Sequence, residues 1–281
     1  MAKVDFQVTF WGVRGSMPVP GAETIKYGGN TPCVQVQIGD RLFVLDAGTG
    51  IFKLGQHLMS QGKPIRGDIF ISHTHWDHIQ GFPFFTPAFV KSNSFSMYGL
   101  RSVNLNFEDL MKGQMEYDHF PISLDEMGSN IAFHEITFGT ETQMGDGIVL
   151  RTVLNNHPGG CLSFRLDYDG RSCCYMTDTE HNARIKPDFL KFAAGADVVI
   201  YDAHFTNKEY AGFNGFPSVK GWGHSTWEEG IKLVKACKAK KLVLFHHAPF
   251  RTDEELTIIE KEARKQYPDL VVAHEGLVIS L

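Results

Sequence analysis

Residues 73–78 read HTHWDH and place three histidines and an aspartate within six positions, directly after a short apolar run. Neutral imidazole is a borderline ligand that suits zinc, manganese or iron, and carboxylate suits the harder of these ions. In extended backbone, the i, i+2 spacing of His73 and His75 places both side chains on one face, while Asp77 and His78 enter from the following loop or helix start. A mixed His/Asp cluster without thiolate predicts the site of a divalent-metal hydrolase.

The elements that must position these residues are short strands alternating with stretches of helical periodicity, with no Ser-rich linker or low-complexity segment between them. We therefore treat 1–281 as a single domain. Capping boxes, Ser225 with Glu228 and Thr252 with Glu255, predict the starts of two helices. Strands are predicted at 5–11, 33–38, 41–46, 68–72, 94–99, 131–138, 147–154, 161–168, 171–176, 197–201, 241–246, 270–274 and 277–281, and helices at 49–60, 187–194, 226–239 and 253–266.

A repeated order of elements predicts two similar halves. Each half reads hairpin, aspartate, helix, strand and polar cluster, with 27 positions from Asp46 to His73 and 26 from Asp178 to His204. We expect two β-rich halves packed face to face with helices outside, so that both polar clusters lie at one edge of the sheets. Chance recurrence of a common strand-helix-strand unit is the alternative.

The composition indicates a globular cytoplasmic protein. With 281 residues and 43% hydrophobic content, the chain can bury a large core. It has neither an apolar run of ~18 residues nor the N-terminal pattern of a secretory signal, so no membrane partner is expected. The 27 Lys+Arg against 32 Asp+Glu leave a net charge of −5, which weighs against a nucleic acid partner.

The five cysteines predict neither a disulfide framework nor a thiolate metal site. Their number is odd, Cys173 and Cys174 are adjacent, and Cys33, Cys161 and Cys237 show no C-x-x-C spacing. We expect all of them in the core.

The segment HTHWDH resembles the H-x-H-x-D-H signature of the metallo-β-lactamase fold. The resemblance covers the chain from about residue 5 to its end and implies an α/β (α+β) fold, a four-layer αββα sandwich of two similar halves. It also implies further metal ligands in His157 of LNNHPGG, Asp178 of YMTDTEH and His246 of LVLFHHAP. The choice of His246 over His247 follows the alternation of the preceding strand and the family pattern LxLxH.

The resemblance implies two divalent metal ions, with zinc preferred over manganese and iron. In the implied arrangement, Asp178 bridges the two ions. His73, His75 and His157 hold one ion, and Asp77, His78 and His246 hold the other.

The segment GWGHSTWEEG resembles the general-acid motif of the phosphodiesterase branch of this family, which includes ribonuclease Z and cyclic nucleotide phosphodiesterases. The resemblance implies that His224 donates a proton to the leaving group, and Asp202 in YDAHF matches the acidic residue that orients this histidine. With Asp77, these two residues form the expected catalytic set. A local hydrogen bond at a helix start is the alternative role for His224.

Within that branch, WGVRGSMPVPG followed by KYGGNTPCVQV resembles bacterial and phage cyclic nucleotide phosphodiesterase-like hydrolases. HHAPF stands where ribonuclease Z has HFSxRY, Asp202 replaces a glutamate, and no long basic Gly/Pro-rich arm is present. We therefore expect a phosphodiesterase that hydrolyses a small cyclic nucleotide or related cyclic phosphodiester through a metal-bridging hydroxide, with nucleic acid disfavoured as a substrate. The alternatives are an RNA 3′-end endonuclease of the ribonuclease Z type and a non-catalytic metal-binding module.

The segment from about 100 to 130 predicts a contact surface. It has no clear strand or long helix, and its methionines and aromatics are typical of adaptable interfaces. We expect a symmetric homodimer through this segment, with a lid over the same chain as the alternative. The residues concerned are Met111, Met115, Tyr117, Phe120 and Met127.

Aromatic residues in loop regions are candidates for holding a base, although we expect most of them in the core. They are Phe82, Phe84, Phe85, Tyr117, Phe120, Phe213, Phe216 and Trp222.

Overall fold

The structure, a computed structural model, describes residues 4–213, 215 and 217–281. The chain forms two compact units. Within the described residues, each unit contains one seven-stranded sheet. Of the described residues, unit 1 comprises 4–18, 29–136 and 274–280, and unit 2 comprises 19–28, 137–213, 215, 217–273 and 281.

The sheet of unit 1 has the strand order β14-β1-β2-β3-β4-β5-β6. Pairing is antiparallel from β14 to β3 and parallel from β3 to β6. The strands are β1 (Phe6–Gly12), β2 (Cys33–Ile38), β3 (Arg41–Leu45), β4 (Arg66–Phe70), β5 (Ser94–Gly99), β6 (Asn130–Glu135) and β14 (Val278–Ser280), and the helices are α1 (Gly50–Met59), α2 (Trp76–Ile79) and α3 (Phe107–Gly113).

The sheet of unit 2 has the order β13-β12-β11-β10-β9-β8-β7. Pairing is antiparallel from β7 to β10 and parallel from β10 to β13, which repeats the pattern of unit 1. The strands are β7 (Glu141–Gly145), β8 (Ile148–Leu154), β9 (Leu162–Tyr168), β10 (Arg171–Met176), β11 (Val198–Asp202), β12 (Lys241–Phe245) and β13 (Leu270–Val272), and the helices are α4 (Pro187–Ala193), α5 (Asn207–Ala211), α6 (Trp227–Cys237) and α7 (Asp253–Gln266).

Each unit has an apolar core between its sheet and its helices. In unit 1, Ile51, Leu54 and Leu58 recur every three to four residues along α1, so one face of the helix packs into the core. In unit 2, Ile231 and Val234 of α6 do the same. The five cysteines are all buried, as predicted, and they are not joined in disulfides. Burial raises the pKa of the Cys174 thiol to about 12, so this thiol stays protonated at neutral pH.

The repeated order of elements predicted from the sequence is present. β3 and β10 are the strands at which antiparallel pairing changes to parallel pairing. Asp46 is the residue after β3, and Asp178 is the second residue after β10. Both aspartates have a left-handed backbone, with φ of 63° and 48°. The same local geometry therefore occurs once in each unit.

One predicted helix cap is wrong, and several short elements were missed. The helix predicted to begin with a capping box of Ser225 and Glu228 is capped by Thr226, whose hydroxyl accepts the Glu229 amide N–H. The capping box of Thr252 and Glu255 is present. β7 was not predicted because its residues are mostly exposed and show no apolar alternation. The short helices α2, α3 and α5 were also missed.

The predicted contact segment at 100–130 contributes to the core of unit 1. Met111, Met115 and Met127 are buried there, so they do not form a surface. Tyr117 is 72% exposed, and Phe120 is partly buried. The homodimer stays a prediction, and fewer residues of this segment than expected are available for its interface.

Among the described residues, the structure contains no helix long and apolar enough to span a membrane.

Candidate metal centre

The HTHWDH residues of unit 1 lie where β4 ends and α2 begins. His75 is the N-cap of α2, so Asp77 and His78 fall in its first turn, at the expected helix start. The His73 ring centroid lies 4.4 Å from that of His75 and 4.3 Å from that of His78. The strand end and the short helix thus bring the four side chains of the motif together.

Asp46 fixes the orientation of His78. Its Oδ2 lies 2.7 Å from His78 Nδ1, and its Oδ1 accepts the Ser72 amide N–H at 2.7 Å. A carboxylate can only accept, so Nδ1 of His78 carries the proton and a neutral ring presents its lone pair at Nε2. Asp46 was identified from the sequence only as a marker of the repeat, and its contact with His78 was missed.

The His78 tautomer with its proton on Nδ1 is the form in which Nε2 can bind a metal ion. His78 Nε2 lies 3.2 Å from Asp77 Oδ2, so two acceptor atoms face each other, which is unfavourable unless a cation or proton lies between them. Ligand atoms around a tetrahedral zinc ion, with bonds of about 2.1 Å, lie roughly 3.4 Å apart. The donor types and spacing in unit 1 therefore suit a divalent ion.

Unit 2 carries a second set of donors at the ends of β8, β10 and β12. His246 Nε2 lies 3.2 Å from Asp178 Oδ1, and His157 Nε2 lies 3.9 Å from Asp178 Oδ2. His157 Nδ1 donates to the Gly223 carbonyl at 2.9 Å, which leaves Nε2 as the acceptor. His246 and Asp178 both have left-handed backbones, a strained conformation that is common at functional sites.

The neighbouring His247 occupies a different environment from His246. Its Nε2 lies 2.9 Å from the Ala273 carbonyl, and its ring contacts the edge of Tyr27. The structure thus places His246, and not His247, beside Asp178. The individual ligand assignments stay predictions.

His224 forms a hydrogen-bonded pair with Asp202. Its Nδ1 donates to Asp202 Oδ2 at 2.9 Å, and Asp202 is fully buried at the end of β11. Asp202 Oδ1 also accepts the amide N–H groups of His204 and Ser225, at 3.1 and 3.2 Å. Donor atoms of Asp178, Asp202, His224 and His246 all lie within 4.8 Å of one another.

His204 is a further histidine of this cluster that the sequence analysis used only as a marker. Its ring stacks on that of His224 at 4.5 Å, and its Nδ1 donates to the His246 carbonyl at 3.0 Å. Burial, followed by the nearby imidazoles of His224 and His246, holds its pKa well below the usual histidine value. His204 is therefore neutral at pH 7 and supports the neighbouring rings by packing.

Glu180 anchors the loop before His224 and was also missed. Its carboxylate accepts the backbone N–H groups of Gly221 and Gly223, at 2.8 and 3.0 Å, and the hydroxyl of Tyr210. Burial alone would raise its pKa, but these hydrogen bonds outweigh burial and lower it. No short-range sequence signal marks Glu180, because its partners lie 30 or more positions away.

The candidate aromatics divide by exposure. Phe82 and Phe85 are fully buried in unit 1, so they are core residues. Phe216 lies outside the described residues. The exposed candidates are Phe84, Tyr117, Phe213 and Trp222.

Comparison with known proteins identifies the family. The sequence profile of a family described as the beta-lactamase superfamily domain matches residues 41–247, well over half of the chain. The chain belongs to the beta-lactamase superfamily. The predicted family and the predicted fold class, a metallo-β-lactamase-type α/β fold, are thereby confirmed.

Within the superfamily, similar curated proteins are named ribonuclease Z. The protein of Thermoplasma acidophilum is 23% identical over 319 residues, covering 94% of this chain and 93% of the relative. That of Picrophilus torridus is 24% identical over 314 residues, covering 97% and 94%. The predicted enzyme class, a metal-dependent phosphoric diester hydrolase, is confirmed.

Solved structures of the superfamily share the fold along the whole chain. YhfI of Bacillus subtilis, a metallo-β-lactamase fold protein, has a TM-score of 0.73 at 19% identity, covering 99% of this chain and 100% of its own. Human tRNase Z, short form, has a TM-score of 0.68 at 20% identity, covering 97% and 98%. A diphosphatase from the PhnP family has a TM-score of 0.70 at 19% identity, covering 98% of each chain.

These relatives overturn one expectation. The prediction that nucleic acid is an unlikely partner is wrong, because the similar curated superfamily members are ribonucleases. The inference failed because a net charge of −5 describes the whole chain, whereas nucleic acid is contacted by local surface groups. The predicted cyclic nucleotide substrate is not supported by these comparisons.

Proposed function

We propose that this protein is a metal-dependent endonuclease of the ribonuclease Z type, which cleaves RNA near its 3′ end. The observation that carries this proposal is the His224–Asp202 pair, joined at 2.9 Å beside the donors of Asp178 and His246. Similarity to ribonuclease Z over 94% of the chain and 93% of the relative supports RNA as the substrate class.

The proposed ligands are those implied by the sequence motif. Zinc is the expected metal because the set consists of imidazoles and carboxylates without thiolate, and manganese or iron would suit the same donors. These proposed ligands are His73, His75, Asp77, His78, His157, Asp178 and His246. When bound, two such ions neutralise the phosphate charge and make a coordinated water acidic.

The protein's own groups then orient and protonate the reactants. A ribose oxygen is a poor leaving group, and a proton delivered to it accelerates cleavage by typically ~10²–10⁴-fold. Because His224 donates its Nδ1–H to Asp202, its Nε2 is the atom available to deliver that proton. The buried carboxylate of Asp202 stabilises the protonated ring and prevents it from rotating.

The decisive experiment compares substrates with the metal-loaded protein. A precursor tRNA carrying a 3′ trailer is incubated beside a panel of purine and pyrimidine cyclic nucleotides. We expect cleavage of the RNA at the trailer junction. Hydrolysis of a cyclic nucleotide with no RNA cleavage would overturn the proposal in favour of a small cyclic nucleotide as the substrate.

Replacement of His224 separates proton donation from metal binding. His224→Ala should slow cleavage of RNA by ~10²-fold or more while both metals and the fold are retained. A methyl nitrophenyl phosphodiester, whose leaving group needs no proton, should lose much less activity. Equal losses on both substrates at full metal occupancy would assign His224 to phosphate binding, and loss of metal would make it a ligand.

A further inference from the structure

We infer that Trp222 is a stacking platform for a base beside the scissile phosphate, an inference that rests on the proposed RNA substrate. Trp222 is 58% exposed, although tryptophan is usually well buried. It lies one residue before Gly223, whose carbonyl accepts from His157, and two residues before His224. A large exposed aromatic side chain thus lies two residues before the proposed proton donor in the sequence.

The backbone that carries Trp222 is fixed at three consecutive residues. Glu180 accepts the N–H groups of Gly221 and Gly223, and the Trp222 amide itself donates to the Val219 carbonyl at 3.2 Å. Val219 is in turn buried. The exposed indole is therefore mounted on a rigid turn, and little conformational entropy is lost when a ligand stacks on it.

The chemistry of this position suits a single-stranded nucleic acid. An indole ring stacks on any base because every base has a π face, and such stacking is independent of sequence. Lys220, exposed two residues earlier, adds a cation that matches a phosphate backbone. Trp222 would then position the nucleotide next to the cleaved bond and act through binding, without taking part in proton transfer.

Equilibrium binding tests this inference independently of cleavage. Metal-loaded protein in the His224→Ala background is titrated with a fluorescent single-stranded RNA and with an abasic chain of the same length and charge. Trp222→Ala should weaken binding of the base-bearing RNA by about 5- to 150-fold and leave the affinity for the abasic chain within about twofold. Trp222→Phe should restore most of the loss.

A matched control is Phe138→Ala, which removes another aromatic of unit 2 with 57% exposure. It should leave both affinities unchanged. Equal weakening of both ligands by Trp222→Ala, or failure of Trp222→Phe to improve on alanine, would overturn the stacking role. Absence of RNA cleavage by the wild-type protein would instead overturn the proposed function, so the two failures are distinguishable.

Discussion

Asp46 shows how one residue outside the recognised motif can control a metal ligand. It accepts from His78 Nδ1 and from both the amide and the hydroxyl of Ser72, so its carboxylate is held on two sides. Ligand histidines commonly donate their second ring nitrogen to such a partner, which fixes the ring and raises its basicity. The HTHWDH motif therefore depends on a residue from another strand end.

Substitution of Asp46 should weaken metal binding without removing a ligand. Asp46→Asn keeps the size of the side chain but can present its amide N–H to His78 Nδ1, which favours the wrong tautomer. We expect metal affinity to fall by 10- to 100-fold, measured by competition with a chromogenic chelator. Asp40→Asn, at an exposed turn of the same unit, is the control. Unchanged affinity in Asp46→Asn would show that His78 is not oriented by this contact.

Among individual residues, those in contiguous motifs could be predicted from the sequence, and those whose partners are distant in the sequence could not. HTHWDH and GWGHST are contiguous, and their chemistry can be read from spacing and resemblance. Asp46, Glu180 and His204 are single polar residues whose side-chain hydrogen bonds described above are with partners 26 to 43 positions away, so only the fold reveals these contacts. The choice between RNA and a small substrate could not be made from overall charge.

The loop between α5 and α6 is the element on which the unit 2 donors depend. Gly223 has φ of +87°, and a Cβ there would lie 2.2 Å from His157 Nδ1. Gly221 has φ of +89°, yet a Cβ there would meet nothing within 4 Å. The two glycines share a backbone conformation and differ only in what surrounds them.

Substitutions at Gly221 and Gly223 separate the effect of backbone strain from that of a steric collision with His157. Both Gly223→Ala and Gly221→Ala force an L residue into left-handed backbone, at a cost of roughly 1–2 kcal/mol in the free energy of unfolding. Only Gly223→Ala should also displace His157, and we expect it to lose most of its activity and part of its bound metal. Elemental analysis measures the bound metal, and phosphodiesterase assays measure the activity. Urea unfolding measures the loss in free energy of unfolding that both variants should share. Equal activity in the two variants would mean that His157 is not held by this loop.

Apolar patterning predicted the buried strands and the amphipathic helices. It failed for elements whose formation depends on tertiary contacts. β7 is an exposed edge strand with no apolar face, and α3 is a short helix within a segment that resembled a contact surface. The shift of the α6 cap from Ser225 to Thr226 has a physical reason. Ser225 is buried and its hydroxyl lies 3.0 Å from that of Tyr201, so it is unavailable for capping.

For the molecule as a whole, metal binding and folding should be coupled, because the donors are assembled only in the native state. Zinc at 100 times its dissociation constant should add about 2.7 kcal/mol per bound ion to the free energy of unfolding and raise Tm by roughly 5–10 °C. A chelator should reverse the shift. Differential scanning fluorimetry with and without zinc measures it. Asp178→Ala should abolish most of the response and His119→Ala, at an exposed site, should retain it. An unchanged Tm in wild-type protein that has bound zinc would contradict the coupling.

Unit 1 is closed by the two ends of the chain, since β14 pairs with β1 through Gln7 opposite Ser280 and Thr9 opposite Val278. During translation β1 is synthesised long before β14, so the edge of β1 that pairs with β14 stays open until β14 has emerged. An open strand edge invites pairing with other chains. A nascent chain, or one that ends before β14, therefore exposes this edge of β1 to aggregation, and pairing with β14 is what covers it.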